Sequence, residues 1–490
     1  MKRFLYLFSI IFILASTIIS CNKDDVHNPE VPVNLEIEDF VWKGLNAYYF
    51  WQEDVSNLAD DRFSTQGQLN DFLEPYIDRP EELFESLLYQ QGTEDRFSWF
   101  IEDYEIQNQQ FQGISKSFGF RLTPVKINAG GDVIFYIKFV SSNSPASNAG
   151  INRGDIINAI NGVIINESNY STVTQDLSEE TVNLSFVTES GGILTATGDK
   201  TITSVVLSDN PVHVTKIFND IDGKKVGYLV YNGFRSSYND ELNAAFELFK
   251  NEGIVELILD LRLNGGGSVS TSAYLASMIY ANAGTEKFAE LKFNSKNTSN
   301  NSTYEFQNTL NVFSEDGTKI GEETINRLST ISKLYVLTSS GTASASEMII
   351  NGLRPFIPVK LIGETTYGKN VGSITLYDSP SSGYTRESSA NKDHKFAMQP
   401  IVFQIFNKNG ESDYTQGFLP GKTIIEAYSW NQILPFCDEN EVLLKAALDD
   451  IKGITKPASN PKNGFVEKLE LTILEKKFDY EMYITLDSNE

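Results

Sequence analysis

The spacing of apolar and polar positions changes twice along the chain. Between residues 34 and 110, apolar side chains such as Val41 and Leu45 recur at helical spacing. From Gly113 the pattern changes to short strands and turns, and farther on nearly continuous apolar strands such as 255–261 alternate with helical stretches. Strands that are apolar on both faces are typical of the centre of an α/β layer. The pattern predicts a multidomain α/β protein with a helical N-terminal region (34–110), a β-rich domain (113–206) and an α/β domain (212–452).

The two ends of the chain do not share this patterning. Residues 1–20 begin with Lys2 and Arg3 and continue as an apolar run, which predicts a secretory signal; the run is short for a spanning helix. Residues 21–33 are polar and contain two prolines, as in a tether. Residues 453–490 are a charged tail, in which we predict a strand near 469–474.

Composition limits the possible functions. With 490 residues the chain is too long for one core, and its formal charge of -25 at pH 7 disfavours a nucleic-acid partner because such a surface repels phosphate. Solubility outside the cytoplasm is a sufficient reason for the charge. There is no His-Glu-x-x-His motif, and two cysteines cannot make a structural zinc site alone, so no metal or cofactor is expected.

The segment Ile18-Ile19-Ser20-Cys21 resembles a bacterial lipobox. The resemblance implies that Cys21 becomes the lipidated first residue of the mature chain. The protein would then be anchored in the cell envelope, at the outer membrane, facing the periplasm or the cell surface. The alternative is a chance cysteine behind an ordinary signal. Cys437 is the one other cysteine, so a lipidated chain can form no intramolecular disulfide.

Two motifs within residues 113–206 resemble those of PDZ domains. Ser117-Phe118-Gly119-Phe120 opens the segment, and a run from Ser144 through Arg153-Gly154-Asp155 to Gly162 follows. The resemblance implies that Phe118, Gly119 and Phe120 form a loop for the carboxylate of a peptide C-terminus, while the peptide adds as a strand to the sheet edge. The alternative for the first motif is a glycine turn between two strands.

A candidate nucleophile lies at the start of a predicted helix. Residues 334–337 are expected to form a buried strand, and a turn leads from it to a helix over 345–353. Ser344 would sit where free N–H groups and the helix dipole favour developing negative charge. The run from Ser344 to Glu347 also fits a helix capping box, and these residues alone do not decide between the two roles.

The three histidines are poorly placed to serve such a serine as a base, and no Gly-x-Ser-x-Gly elbow is present. Lysine is the remaining candidate, provided that burial keeps it neutral. Lys369 ends the segment 363–369, which follows a mainly apolar strand and contains glycines that permit a tight turn. The alternative is an exposed lysine in a loop.

The segments 342–347 and 363–369 together resemble the C-terminal processing peptidases, a serine-peptidase family with a Ser-Lys dyad. The twenty-five residues from Ser344 to Lys369 agree with the spacing of that family. The resemblance covers most of residues 113–452. It implies that Ser344 is the nucleophile, Lys369 the general base and Glu347 an accessory acid. Two positions depart from the family: Pro355 where many members have Asp, and Ser373 where a Gln is common.

A glycine run after the strand near Asp260 matches the motif that precedes the oxyanion hole in this family. The resemblance implies that the N–H of Gly265 or Gly266 acts together with that of Ala345, each donor contributing roughly 3 kcal/mol. The run fits neither the Gly-x-Gly-x-x-Gly nor the Walker pattern of nucleotide sites. A purely structural turn is the alternative.

Three functions follow from these observations. The first is a lipid-anchored serine endopeptidase that recognises the C-termini of protein or peptide substrates through its PDZ domain. The second is a non-catalytic peptide-binding lipoprotein, which the changes at Pro355 and Ser373 suggest. The third is a surface scaffold or glycan-binding lipoprotein, which rests on the N-terminal aromatic residues Trp42, Tyr48, Tyr49 and Trp51.

Overall fold

The computed structural model describes residues 31–282, 284–454, 465–471 and 477–486. The signal segment and Cys21 lie outside the described residues, as does part of the strand predicted near 469–474. Across the described ranges, no helix is long and apolar enough to cross a membrane. The chain forms a helical N-terminal region, a β-rich domain and an α/β domain, and its C-terminal segment returns to the last two.

The N-terminal region is helical, as predicted. Tyr49 is fully buried in the largest apolar cluster of the protein, and Trp42, Tyr48 and Trp51 pack against that cluster. The aromatic residues are therefore part of the core, which removes the observation behind a glycan-binding surface. The elements are α1 (Glu36–Tyr48), α2 (Gln66–Leu73), α3 (Pro80–Ser86), β1 (Trp99–Ile101) and α4 (Tyr104–Phe111).

The second region is built around one antiparallel sheet with its own core. Phe135, Ile157 and Leu184 on neighbouring strands of this sheet are fully buried in one cluster, as expected for strands with one apolar face. The elements are β2 (Ile114–Ser117), β3 (Phe120–Lys126), β4 (Val133–Val140), α5 (Pro145–Asn148), β5 (Ile156–Ile160), β6 (Val163–Ile164), α6 (Tyr170–Val173), β7 (Thr181–Ser190), β8 (Ile193–Thr203) and β9 (Val205–Ser208).

The third region is the α/β domain. Its elements are β10 (Val212–Ile221), β11 (Lys224–Tyr231), α7 (Asn239–Glu252), β12 (Glu256–Asp260), β13 (Gly267–Ser268), α8 (Val269–Ile279), β14 (Lys287–Phe293), β15 (Ser302–Glu305), β16 (Thr309–Phe313), β17 (Lys319–Thr324), β18 (Leu334–Thr338), α9 (Ala345–Leu353), β19 (Val359–Gly363), β20 (Val371–Ser373), β21 (Leu376–Tyr377), β22 (Ala397–Gln399), β23 (Ile401–Asn407), β24 (Lys422–Thr423) and α10 (Val442–Ile451). Its central sheet has the order β10-β11-β12-β18-β19-β24.

The register of the central sheet decides where the functional loops meet. Strands β12, β18 and β19 are parallel neighbours, with Asp260 opposite Leu337 and Leu337 opposite Ile362. Their carboxyl ends therefore lie at one edge of the sheet, where open α/β sheets usually carry their sites. The glycine run, Ser344 and Lys369 each follow one of these three strand ends.

The C-terminal segment (residues 465–471 and 477–486) adds two short strands to sheets formed earlier in the chain. Strand β25 (Glu467–Lys468) pairs with β3 at the edge of the β-rich sheet, slightly before the position predicted for a tail strand. Strand β26 (Met482–Tyr483) was not predicted, and it lies between β13 and β20 in a second sheet of the α/β domain. Both strands reach regions that the sequence motifs mark as functional.

Candidate active site

Ser344 occupies a strained turn between β18 and α9. Its backbone has φ 63° and ψ -118°, a conformation that costs a residue with a Cβ atom about 1–3 kcal/mol and that clusters at functional sites. The turn is held from outside, because Thr342 Oγ1 donates to Leu261 O at 2.8 Å and Ser346 Oγ donates to Asn264 O at 3.0 Å. This strand-to-helix geometry is that of a nucleophile elbow, although the glycine signature of that motif is absent.

The hydroxyl of Ser344 is not used as a helix cap. The side chain is fully buried, and its Oγ has no hydrogen-bond partner among the described residues. Both residues of the predicted capping box are in place: Glu347 Oε2 accepts from the Ser344 N–H at 2.9 Å, whereas the Ser344 side chain lies toward the Glu347 N–H without forming a hydrogen bond. A buried hydroxyl without a hydrogen-bond partner destabilises the folded protein. A purely structural role therefore does not explain why a serine is present at this position.

Glu347 ties the serine to the loop that carries the lysine. Its Oε2 accepts from the N–H groups of Ser344 (2.9 Å) and Lys369 (2.8 Å). Its Oε1 accepts from Thr366 Oγ1 (2.6 Å) and from the Gly368 N–H (2.8 Å). Burial raises the pKa of the Glu347 carboxyl to about 7, although these four donors oppose the rise. Glu347 thus positions both members of the predicted dyad through their backbones.

Lys369 is a buried lysine. The residue is 1% exposed, which excludes the alternative of an exposed loop lysine. Its Nζ lies 3.3 Å from Glu481 Oε1 and 4.8 Å from the centre of the Phe97 ring. Burial lowers the pKa of Lys369, and the charge of Glu481 opposes that shift. Nζ and the Ser344 hydroxyl form no hydrogen bond in this structure.

The glycine loop (residues 264–267) lies directly against the serine. A Cβ atom added to Gly266, whose φ is +122°, would lie 2.8 Å from Ser344 Oγ, so only glycine fits there. The Gly266 N–H donates to Asn264 Oδ1 at 2.9 Å. Of the donors that the family resemblance implies for an oxyanion, the N–H groups of Gly265 and Ala345 are therefore the better candidates, the latter at the first residue of α9.

The two positions that depart from the family have different surroundings. Pro355 follows the end of α9 and is half-buried. Ser373 is fully buried, donates to Glu481 Oε1 and accepts from Gln399 Nε2 at 2.8 Å. Position 373, where the family often has a glutamine, thus holds a serine. The side chain of Gln399, at the end of β22, contacts this serine instead.

Sequence reasoning missed Gln399 and Glu481. Gln399 lies 26 residues from Ser373, and Glu481 lies 112 residues from Lys369, so neither contact leaves a local pattern. Asn264 could have been found, because it directly precedes the glycine run and a polar residue there can orient a tight loop. Its side chain bridges the Gly266 N–H and the carbonyl of Tyr231.

The segment that is predicted to bind a peptide carboxylate forms a tight glycine turn. Gly119 has φ +81°, and a Cβ atom there would lie 2.1 Å from Ser144 Cβ, so the two PDZ-like motifs touch. Phe118 is buried and stacks with Phe120, whose ring centre is 6.1 Å away. A cavity of about 700 Å³ extends from this loop to the glycine loop of the α/β domain. A peptide held in the β-rich domain can thus reach the edge of the candidate active site.

A buried ionic cluster joins the two domains behind this cavity. Arg262, which precedes the glycine loop, contacts Asp260, Glu426 and Glu441. Arg153 of the β-rich domain contacts the same Glu426 carboxylate. The cluster holds the base of the glycine loop against the β-rich domain. Over the described ranges, no group of three or more His, Cys, Asp or Glu side chains could hold a metal ion.

A buried serine in a strained elbow, next to a glycine loop and a buried lysine, defines a serine hydrolase of α/β type. Comparison with known proteins identifies its family. Residues 36–99 match the Peptidase S41 N-terminal domain, residues 108–187 match the PDZ domain, and residues 225–396 match Peptidase family S41. The chain therefore belongs to peptidase family S41, is a serine protease, and carries a PDZ domain.

Individual relatives agree with this assignment. The crystal structure named "Putative S41 protease" from Bacteroides fragilis is 27% identical with a TM-score of 0.65, and the match covers 87% of this chain and 100% of that one. A "Probable CtpA-like serine protease" of Staphylococcus epidermidis is 22% identical over 98% of this chain and 84% of its own length. The chloroplastic C-terminal processing peptidase of Tetradesmus obliquus is 25% identical, over 52% of either chain.

Proposed function

We propose that the protein is an endopeptidase in which Ser344 is the nucleophile and neutral Lys369 is the general base. One observation carries the proposal: a single buried carboxylate, that of Glu347, accepts hydrogen bonds from the backbones of both residues. Such a shared anchor fixes the spacing of a nucleophile and its base, which is what a dyad requires.

The chemistry proceeds in two stages. Lys369 Nζ accepts the proton of the Ser344 hydroxyl as Oγ attacks a peptide carbonyl, and the N–H groups of Gly265 and Ala345 stabilise the oxyanion. The same amine then protonates the leaving nitrogen, and it later activates the water that hydrolyses the acyl-enzyme. Proton transfer requires hydrogen-bond distance, so in the active arrangement Lys369 exchanges Glu481 for Ser344.

The PDZ domain is proposed to select the substrate by its C-terminus. The loop at 118–120 receives the carboxylate, and the peptide adds as a strand to the edge of β3. The cavity between this loop and the glycine loop supplies the path to Ser344. Protein and peptide chains with accessible C-termini are the expected substrates.

The non-catalytic alternative accounts less well for the serine. The strained backbone of Ser344 and its unpartnered buried hydroxyl both cost stability, and a silent binding protein gains nothing from them. Neither Pro355 nor Ser373 disrupts the anchoring of the dyad by Glu347.

A reactive phosphonate that labels serine nucleophiles, together with a peptide-cleavage assay, tests this proposal. Phosphonate should label Ser344 and block cleavage, and Ser344→Ala should lose both reactions while keeping its fold. Cleavage by purified Ser344→Ala would overturn the assignment. Lys369→Met, which keeps the apolar stem and removes the amine, should lose cleavage as well.

The location of the protein is a separate proposal. We infer from the lipobox-like segment that Cys21 is lipidated and anchors the protein to the outer membrane. Metabolic labelling with an alkyne fatty acid should mark the wild-type chain and leave Cys21→Ser unlabelled. Equal labelling of both chains would contradict this anchor.

A further inference from the structure

The C-terminal segment occupies the place that a substrate strand needs. Strand β26 lies between β13, which follows the glycine loop, and β20, which follows Lys369, and it pairs in parallel with both. A peptide that adds as a strand next to the glycine loop must take the same place. The segment and a substrate therefore cannot bind together.

Backbone atoms of the segment cover the reactive groups. A Cβ atom on Gly266 would lie 2.6 Å from the carbonyl oxygen of Glu481 and 2.8 Å from Ser344 Oγ, so these two atoms lie against the same side of Gly266. The carbonyl oxygen of Asp479 passes even closer to Gly265. Ser344 itself has no exposed surface, although the neighbouring glycines line the cavity.

Side chains of the segment engage the rest of the site. Glu481 contacts Lys369 Nζ at 3.3 Å and receives a hydrogen bond from the Ser373 hydroxyl. Tyr480 stacks on Tyr367, next to the lysine, with ring centres 4.4 Å apart. Met482 is fully buried in the core cluster. The charge of Glu481 favours the charged form of Lys369, and so it opposes the neutral form that a general base requires.

An upstream part of the same segment lies on the PDZ domain. Strand β25 pairs antiparallel with β3, and the Leu469 N–H donates to Pro124 O at 3.2 Å. The chain runs from Lys126 toward the carboxylate loop, which is the direction of a peptide whose C-terminus is bound there. Leu469 and Leu471 pack against the PDZ core, as side chains of a bound peptide would.

We infer that residues 465–471 and 477–486 are an intramolecular pseudo-substrate, which occupies the PDZ groove and the catalytic cleft together and represses the protease until it is displaced. The inference rests on the proposed function, because inhibition has meaning only for an active dyad. A competing interpretation makes Glu481 a permanent partner that Lys369 needs for catalysis. The two interpretations predict opposite effects when Glu481 is changed.

The full chain can be tested by cutting it. Residues 456–462 are replaced by the recognition sequence of a site-specific protease, and the purified protein is assayed for phosphonate labelling of Ser344 and for peptide cleavage before and after the cut. Release of the C-terminal fragment is measured by size exclusion. The uncut protein is the matched control. We expect at least a tenfold rise in both rates after release, and reversal when a synthetic peptide of residues 465–490 is added.

Two substitutions in the intact chain provide a second test, which does not depend on release of the fragment. Glu481→Gln removes the charge that holds Lys369, and Met482→Asp places a charge where β26 enters the core. Both should raise labelling and cleavage, and a synthetic peptide of residues 477–486 should inhibit Met482→Asp competitively. Glu439→Gln, the same chemical change at an exposed position, is the control and should behave as wild type.

The outcomes separate the two proposals. If the cut chain, the uncut chain and the variants all cleave at one rate, the pseudo-substrate is excluded and the endopeptidase stands. A tenfold loss of cleavage in a folded Glu481→Gln protein would also exclude it, and would make Glu481 a positioning residue for Lys369. If no form labels or cleaves, the proposed function itself is overturned, and the inhibitory role falls with it.

Discussion

Replacing Glu347 by glutamine tests how protonation of this buried carboxyl affects the anchor that joins the two residues of the proposed dyad. The carboxylate accepts from Ser344 N–H, Lys369 N–H, Gly368 N–H and Thr366 Oγ1. A glutamine can keep two of these bonds through its oxygen. Its amide group can face Thr366, whose hydroxyl can accept instead of donating, and only the Gly368 N–H is then left without an acceptor. That loss costs about 1–3 kcal/mol.

The charge has a second effect, which depends on pH. Burial raises the pKa of Glu347 from 4.5 to about 7, so the folded protein binds this proton more tightly than the unfolded chain does. The resulting contribution to stability is fully present below pH 4.5 and is lost as the pH rises through about 7. The size of the shift corresponds to about 3 kcal/mol. Glutamine does not ionise, and its variant lacks this dependence.

Urea unfolding of wild type and Glu347→Gln at pH 5 and at pH 8 measures both effects. The free energy of unfolding of wild type should exceed that of Glu347→Gln by more at pH 5 than at pH 8. The difference should shrink by up to about 3 kcal/mol at pH 8, because burial of the ionised carboxylate destabilises wild type there. Glu322→Gln, at a largely exposed position, is the control and should show no such change. A difference that stays constant or grows with pH would show that the four donors keep Glu347 ionised throughout, and would contradict this prediction.

Four other predictions concern single residues. Ser344→Ala should abolish peptide cleavage without losing a cap hydrogen bond, and Ser344→Gly should be about 1 kcal/mol more stable than the alanine variant in urea unfolding, since glycine relieves the positive φ. Gly266→Ala should abolish phosphonate labelling in a folded protein, because its Cβ would collide with Ser344. Arg262→Met should lower the free energy of unfolding by about 3–5 kcal/mol, as measured in urea, because it leaves buried carboxylates unpaired. The labelling rate of the fragment-released protein should rise with pH as Lys369 becomes neutral. Because the charges of Asp95 and Glu347 still favour the charged form of Lys369 after the fragment has left, a flat profile would contradict its role as base.

Local patterning was enough to place the elements next to the proposed nucleophile. The strand predicted over 334–337 and the helix predicted over 345–353 are observed as β18 and α9, because near-continuous apolar runs are diagnostic of buried elements. The parallel register then brings Ser344 and Lys369 to one sheet edge. The PDZ-like motifs likewise carry their own local signal, in glycines whose positive φ the turns require.

The backbone of Ser344 could not be read from the sequence. Its four-residue context fits a capping box, and the strained elbow is imposed by distant contacts such as that of Thr342 with Leu261. The position of the C-terminal segment was likewise beyond local patterning, because a two-residue strand has almost no periodicity and its partners lie more than a hundred residues away. A charged tail was predicted where a buried Met482 is found.

Lys369 is proposed to activate Ser344. Intact-mass measurement and peptide mapping after phosphonate treatment of the fragment-released protein test it most directly, alongside Lys369→Met prepared in the same way. We expect one adduct, located on Ser344 in the wild-type sequence, and a labelling rate at least a hundredfold lower in Lys369→Met. Equal rates in the two proteins, or an adduct on another serine, would contradict it.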